Sequence, residues 1–460
     1  MPIPTEREAT PALTLLARHA SRLTIATVPE LVKRQASLCI LDTIGCMIAG
    51  TQTQEAQLML VCEPADAADH PITVPGTAER RRLQSALRVN AYLGDVLELN
   101  DLIGGHASIG NVTAAVALAQ ACGASGTALL EAVIRGIEVT TRVYAAVYPT
   151  LKRYTDVGMV PVGLPSAIGS AAAAARLLEL NEEQTLNAMA IAGGLAGWCP
   201  AEVIFGQGGT MKPLLFGAQP AEAGVTAAHY ARNGMTGPAG LLESKLGYIA
   251  TTALGNHLDT GPWESDWALQ QPRRKLHACC GYLHCAVDAV GKLRAEFGAA
   301  LAQGRLEVRV PAYVADVVSK TAPPSSANDA RFHLQYCLAL AVCGNDVILP
   351  EHSIHFQTHF GKAEVRDAMA RIEVIQDSAL THYHQCVIAF TADSGAQRTV
   401  TLSAPRGAPS EPLSDPQVID KFLMLAQPVI GAQAAQRFVD AVTNLERCED
   451  SHALMQLVAC

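Results

Sequence analysis

The chain has 460 residues, a formal net charge of -9 and a pI near 5.9. An acidic balance with no compensating basic stripe excludes nucleic acid as a partner. Hydrophobic residues make up 49% and charged residues 17%, which implies many buried helices and a large subunit interface. No stretch is apolar enough to predict a membrane span.

The N-terminal residues Met1–Glu8 are polar and charged, so no secretory signal is expected. The chain carries 13 cysteines, and Cys39, Cys46, Cys122, Cys337 and Cys343 sit in apolar helical patterns. Free cysteine behaves there as a small hydrophobe, and these thiols are expected to be reduced in a cytoplasmic protein.

In chain order, residues 11–50 carry two helical patterns, the second apolar nearly all round and stopped at Gly50. A polar loop over Asp66–Gly76 precedes an expected helix start at Arg80–Arg82, and Ser85–Leu99 is helical. The segment Asp101–Asn111, containing Gly104, Gly105 and His106, breaks the pattern before an Ala-rich helix over Val112–Cys122. Asn111 is the expected N-cap, which would place the loop at a helix N-terminus, where free amides favour an anion. Further helices are expected at Thr127–Tyr148, Ala167–Leu180, Glu182–Gly197 and Ala218–Gly234.

The character changes after a linker bracketed by Pro262 and Pro272. Leu306, Val308 and Val310 alternate with Glu307 and Arg309, as in a half-buried strand. Ile372–Ile375 reads as a second strand, and Cys386–Thr391 with Thr399–Leu402 as a hairpin turning at Asp393–Gly395. Helices are expected between them at Asp329–Cys343 and Val365–Arg371, and helical periodicity returns from Gln417. The predicted fold is mainly α. A large all-helical domain, discontinuous over 1–272 and 405–460, carries a smaller α+β domain over 273–404.

The glycine cluster Gly206–Gly209 delivers Lys212 into an apolar neighbourhood. A lysine so placed is either a surface residue capping a loop or one awaiting an anion, and the residues alone leave both open. His106 is likewise either a loop histidine bonding a carbonyl or a proton-transfer group. The cluster lacks the Gly-Lys-Ser/Thr ending of a phosphate loop, and Cys279, Cys280 and Cys285 lack zinc or iron–sulfur spacing. His352, His355 and His359 would share one helix face but show no acidic or cysteine partner at ligand spacing, so no metal site is expected there. His382 and His384, placed at a strand edge, are read as structural. There remain Lys212, Lys275, His106, Asp101 and Glu98, with His277, Cys280, His284 and Asp288 near the domain junction. Such a set suits proton abstraction beside a carboxylate, with cations stabilising the charge that develops.

Several stretches together resemble the MmgE/PrpD family, which includes 2-methylcitrate dehydratase, cis-aconitate decarboxylase and iminodisuccinate epimerase. They are Leu41-Asp-Thr-Ile-Gly45, Leu99-Asn-Asp101, His106-Ala-Ser108, Gly209-Thr-Met-Lys212, Gly234-Met-Thr-Gly-Pro238, Lys275 to Asp288, Ala330-Arg-Phe332 and Lys421-Phe422. The resemblance implies an active site between the two domains, a homodimer, no metal and no organic cofactor. It places Lys212 and Lys275 at the family's lysines, and Asp101 and His106 in its acid/histidine loop. Val160 stands where a second histidine is common, and Cys280 replaces another.

The resulting expectation is a lyase of the dehydratase or hydratase type acting on a small anionic polycarboxylate. His106 would move the proton, Asp101 would orient it, and Lys212 and Lys275 would clamp carboxylates, Lys212 serving instead as base if burial depresses its pKa. Glu98, Ser108, Cys280 and His284 are the expected substrate-binding residues. Epimerisation of a dicarboxylate such as iminodisuccinate, a cis-aconitate-type decarboxylation and a non-catalytic binding module are the alternatives.

Overall fold

The computed structural model describes residues 10–65, 72–152, 156–157, 160–197, 204, 209–263 and 266–460. Residues 1–9, the loop segment 66–71 and Gly206–Gly208 of the glycine cluster lie outside the described residues.

The chain is mainly helical. We number its helices of eight or more residues α1 (Ala12–Arg22), α2 (Glu30–Gly50), α3 (Gln54–Cys62), α4 (Leu83–Asp95), α5 (Ala107–Cys122), α6 (Gly126–Ala145), α7 (Gly163–Leu177), α8 (Glu182–Leu195) and α9 (Gln219–Arg232). In the second half come α10 (His284–Phe297), α11 (Leu334–Val342), α12 (Ala363–Ala370), α13 (Asp415–Ile430) and α14 (Ala432–Thr443). No described helix is long and apolar enough to cross a membrane.

Helix α2 is buried on all sides from Gln35 to Gly50, as its all-round apolar pattern implies. It packs between α4 and the C-terminal α13, so the end of the chain returns to the first helices. Helix α7 lies against α5, α6, α8 and α9. Small residues permit this crowding: a Cβ at Gly169 would stand 1.9 Å from Thr140 Oγ1 of α6.

Two strands, β1 (Ile72–Thr73) and β2 (Arg80–Arg81), pair antiparallel. The arginine run therefore begins with a short strand, and Arg82 is the residue that precedes α4. This corrects the expected helix start: Arg81 is buried, and its backbone is used by the strand pairing. The second sheet holds β3 (Arg305–Val310), β4 (Ile372–Gln376), β5 (Cys386–Thr391) and β6 (Gln397–Leu402) in the order β4-β3-β5-β6. Strand β3 pairs parallel with β4 and antiparallel with β5, and β5–β6 is the predicted hairpin. Helix α10 packs on β5 and β6.

One apolar core draws on residues from Leu13 to Ala278 and from Leu413 to Val458, and a second on Cys279 to Phe390. We propose that these cores mark the two domains expected at 1–272 with 405–460 and at 273–404.

Further local expectations change. Asn111 lies inside α5, not at its cap; its Nδ2 donates to Ala107 O and to Thr140 Oγ1 at 2.6 and 2.8 Å. Helix α11 is separate from a short helix at Ala327–Arg331, because His333 caps α11 by accepting from Tyr336 N. His352 and His359 fall on two short helices, Pro350–Ile354 and Phe356–Phe360, that break at His355, so the three histidines do not share one helix face. His382 and His384 lie in the turn before β5, not on a strand.

Candidate active site

The segment joining α4 to α5 is a chain of tight turns. Glu98, Gly104, Gly105 and His106 all adopt positive φ, at 54°, 46°, 68° and 75°. For glutamate and histidine this conformation costs energy and persists only where the surroundings impose it. A Cβ at Gly105 would stand 2.6 Å from the Tyr144 ring, so the loop can lie this close to α6 only with glycine there. The result places His106 at the N-cap of α5.

Asn100 fixes the imidazole. Its Nδ2 donates to Gly94 O at 3.3 Å and to the Asp95 carboxylate, so its Oδ1 must face the ring. His106 Nδ1 lies 2.6 Å from that oxygen and therefore carries the hydrogen. Nε2 is left as the basic nitrogen. Burial holds the His106 pKa well below the ordinary histidine value, and Lys212 and Lys275 push it further down, so the ring is neutral at pH 7. The expected orienter, Asp101, does not make this contact through its side chain. Its Oδ1 accepts from Ile103 N at 3.3 Å, and burial pushes its carboxyl up to about 6.

Beside the histidine sits a buried charge cluster. Lys212 Nζ lies 2.8 Å from each Asp95 oxygen and also pairs with Glu98. Lys275 Nζ reaches Glu98 Oε2 at 2.8 Å and Glu98 O at 3.0 Å. Both lysines are within 2% of complete burial, so their charges can persist only because they are paired. Burial would raise the Glu98 pKa, but the two lysines hold it below the usual carboxylate range; at Asp95 burial prevails and the pKa rises. Burial would lower the Lys212 pKa, yet Asp95 and Glu98 raise it. That direction corrects the idea of Lys212 as a neutral base. A wide π turn over Leu214–Ala218 follows Lys212 and leads into α9, with the Phe216 ring 4.5 Å from Nζ.

Behind the cluster, Lys421 of α13 pairs with Asp42 of α2 at 2.7 Å and donates to Leu99 O and Lys275 O, each at 2.8 Å. One buried lysine thus ties the base of the histidine loop to the segment that carries Lys275.

A cavity of about 260 Å³ opens in front of His106. Glu98, His106, Lys212 and Cys280 line it, together with Arg273, Phe332 and the tyrosines Tyr144, Tyr148, Tyr282 and Tyr383. The other expected site residues stand behind this wall: Lys275 and Asp101 support it, Ser108 is buried in α5, and His284 bonds Cys279 O at 3.2 Å through Nε2. Cys280 does reach the cavity, but burial pushes its thiol up to about 12, so it is a neutral thiol and not a nucleophile. Val160 packs with Val162 and Phe216 in an apolar cluster.

Sequence reading missed Asp95, Asn100 and Arg273. Asn100 sat unread within Leu99-Asn-Asp101, and Arg273 within the run Pro272-Arg-Arg-Lys275. Glu351 was also overlooked: its carboxylate, His352 and His359 bring ligand atoms within 4.8 Å of one another. His352 Nδ1, however, accepts Leu349 N–H at 2.9 Å, which leaves the proton on Nε2 and opposes coordination there.

Two family models match the chain: the MmgE/PrpD N-terminal domain over residues 14–260 and the MmgE/PrpD C-terminal domain over residues 277–447. Among curated proteins, the chain is 24% identical to cis-aconitate decarboxylase of Aspergillus terreus, covering 97% of this chain and 95% of that one. It is 26% identical to the human cis-aconitate decarboxylase, covering 95% and 92% respectively. A cis-aconitate decarboxylase-like protein of Aspergillus oryzae is 24% identical over 96% of each chain. With both domain models matched in order along nearly its whole length, the chain belongs to the MmgE/PrpD family.

Proposed function

We propose that the protein is a lyase that removes water from, or adds it to, a small polycarboxylate. The observation that carries this reading is the neutral His106, whose Nε2 is the basic nitrogen because Nδ1 bonds Asn100, beside a protonated Lys212 in one cavity. In dehydration, Nε2 takes the proton from the carbon next to a carboxylate. The C–OH bond then breaks, with Lys212 supplying the proton that leaves with the hydroxyl as water, and a double bond forms. Lys212 offsets the negative charge that develops, Lys275 holds Glu98 from behind the wall, and Asp101 and Ser108 support the loop. The full-length likeness to cis-aconitate decarboxylases supports a lyase acting on such a substrate.

Those same relatives favour decarboxylation as the second reading. Epimerisation fits less well, because it needs bases on both faces of the carbon. Among the described residues lining the cavity His106 is the sole histidine, Lys212 is protonated and the Cys280 thiol is neutral. The expected homodimer and cytoplasmic location are kept as proposals that light scattering and fractionation would test.

Proton NMR in deuterated water with citrate, 2-methylcitrate, cis-aconitate and malate separates the readings. New vinyl signals without carbon dioxide support dehydration; vinyl signals with carbon dioxide release mean decarboxylation. Deuterium wash-in on an unchanged skeleton means epimerisation. Substituting His106→Gln should lower kcat about 100- to 10,000-fold, and unchanged turnover would remove His106 from the mechanism.

A further inference from the structure

The cations around the cavity are not equivalent. Lys212 is committed to Asp95 and Glu98, and Lys275 to Glu98, so neither ammonium stands without a carboxyl partner. Arg274, next in sequence, turns into the helical core and donates to Gln35 Oε1 at 2.7 Å. Arg273 turns the other way. Its guanidinium lines the cavity and donates to Tyr383 Oη at 3.0 Å, and among the described residues no carboxylate lies within ion-pairing distance of it. The groups that sense its charge are Tyr383, His382 and His384, all of them uncharged. Its backbone is anchored, since Arg273 O accepts from Leu102 N at 3.0 Å in the histidine loop.

We propose that Arg273 is the residue that captures a carboxylate of the substrate and selects polycarboxylates over acids with a single carboxylate. A guanidinium offers a planar fork that matches a carboxylate with two parallel N–H···O bonds, and partial exclusion of water strengthens both. Tyr383 holds one nitrogen and thereby sets the plane of the fork. The lysines cannot take this part without first surrendering Asp95 or Glu98, so Lys212 is left to act at the reacting carbon and Lys275 to hold Glu98 in place. This inference rests on the polycarboxylate reading above and deepens it by dividing the labour among the three cations.

The test is calorimetric binding of tricarballylate, succinate and the monoamide succinamate, none of which carries a hydroxyl to eliminate. The proteins are the full chain and its Arg273→Gln, Arg273→Lys, Tyr383→Phe and His106→Gln variants, each checked for an unchanged melting temperature. Arg273→Gln should weaken tricarballylate about 10- to 100-fold and erase the preference for succinate over succinamate. Arg273→Lys should recover part of the affinity, Tyr383→Phe should lose several-fold, and His106→Gln should bind as the unaltered protein does. Because Arg273→Lys keeps the charge, it remains informative if the glutamine variant misfolds: affinity equal to that of the unaltered chain would overturn the bidentate anchor. A folded Arg273→Gln protein with intact affinity and preference would overturn the proposal, as would failure of the unaltered chain to bind tricarballylate. If Arg273→Gln loses binding while His106→Gln still turns over, the carboxylate anchor stands and the proton-transfer reading falls.

Discussion

His106 Nδ1 stands 2.6 Å from Asn100 Oδ1, and that contact decides which ring nitrogen is basic. Because the Asn100 amide is already committed to Gly94 O and Asp95, it can only accept from the imidazole. Replacing Asn100 by Ala should free the ring to adopt the other tautomer and lower kcat about 100-fold or more with little change in KM. Asn100→Asp should act differently. Its carboxylate would stabilise the imidazolium and raise the depressed His106 pKa. The neutral base is present only above that pKa, so the acid limb of the kcat/KM profile should move to higher pH in Asn100→Asp. A limb that stays in place would show that His106 is not the titrating base.

The left-handed loop can be tested at Gly105. Alanine there must hold φ near +68° with its Cβ against the Tyr144 ring. The backbone term alone costs roughly 1–2 kcal/mol. Gly105→Ala should therefore lower the melting temperature and, by displacing His106, lower activity by more than its stability loss explains. A variant with full activity would show that the loop has slack.

The Lys421–Asp42 pair should behave as a buried ion pair does. Lys421→Met leaves Asp42 uncompensated and two carbonyls without their donor, which should cost about 3–5 kcal/mol. Adding Asp42→Asn should recover part of that loss, as denaturant unfolding of both singles and the double would show. Simple additivity would mean that the two residues do not interact.

Asp288 supplies a pH test of stability. Burial would raise its pKa, but the bond to His277 and the Arg406 guanidinium lower it to about 2. A depressed carboxylate stabilises the fold fully above its unfolded pKa near 3.9, and that stabilisation is lost as pH falls toward 2. Arg406→Gln should thus destabilise the protein by about 2 kcal/mol or less at pH 6, with the gap to the unaltered chain narrowing between pH 4 and 2. A constant gap over that range would refute the linkage.

Covalent labelling tests Cys280. With its thiol pushed up to about 12, alkylation by iodoacetamide at pH 7 should be slow. Cys280→Ala should keep kcat within about tenfold, since that is less than a general acid or base contributes. Rapid alkylation with loss of turnover would instead give the thiol a chemical role.

The periodicity of the chain already held most of the fold. Helix α2 reads as buried because its apolar residues leave no polar face, and β3 reads as half-buried because Leu306, Val308 and Val310 alternate with Glu307 and Arg309, a pattern its burial follows. Such patterns are local, and a neighbour three or four positions away suffices to specify them. His106 and Lys212 were legible as candidates because glycines isolate each from its surroundings.

Pairing was not legible. Asp101 and Asn100 are adjacent in sequence, and only the turn geometry decides that Asn100 meets the imidazole while Asp101 caps Ile103. Lys212 is 117 residues from Asp95, and Lys275 is 177 from Glu98. Whether a lysine is free to hold a substrate or already neutralised depends on partners that such separations hide. The sequence by itself determined the helical architecture, the strands of the larger sheet and, among the residues of the site, Lys212 and His106. Tertiary structure alone decided which nitrogen is basic, which cations are spent and which guanidinium faces the cavity, because hydrogen bonds and charges act through space and not along the chain.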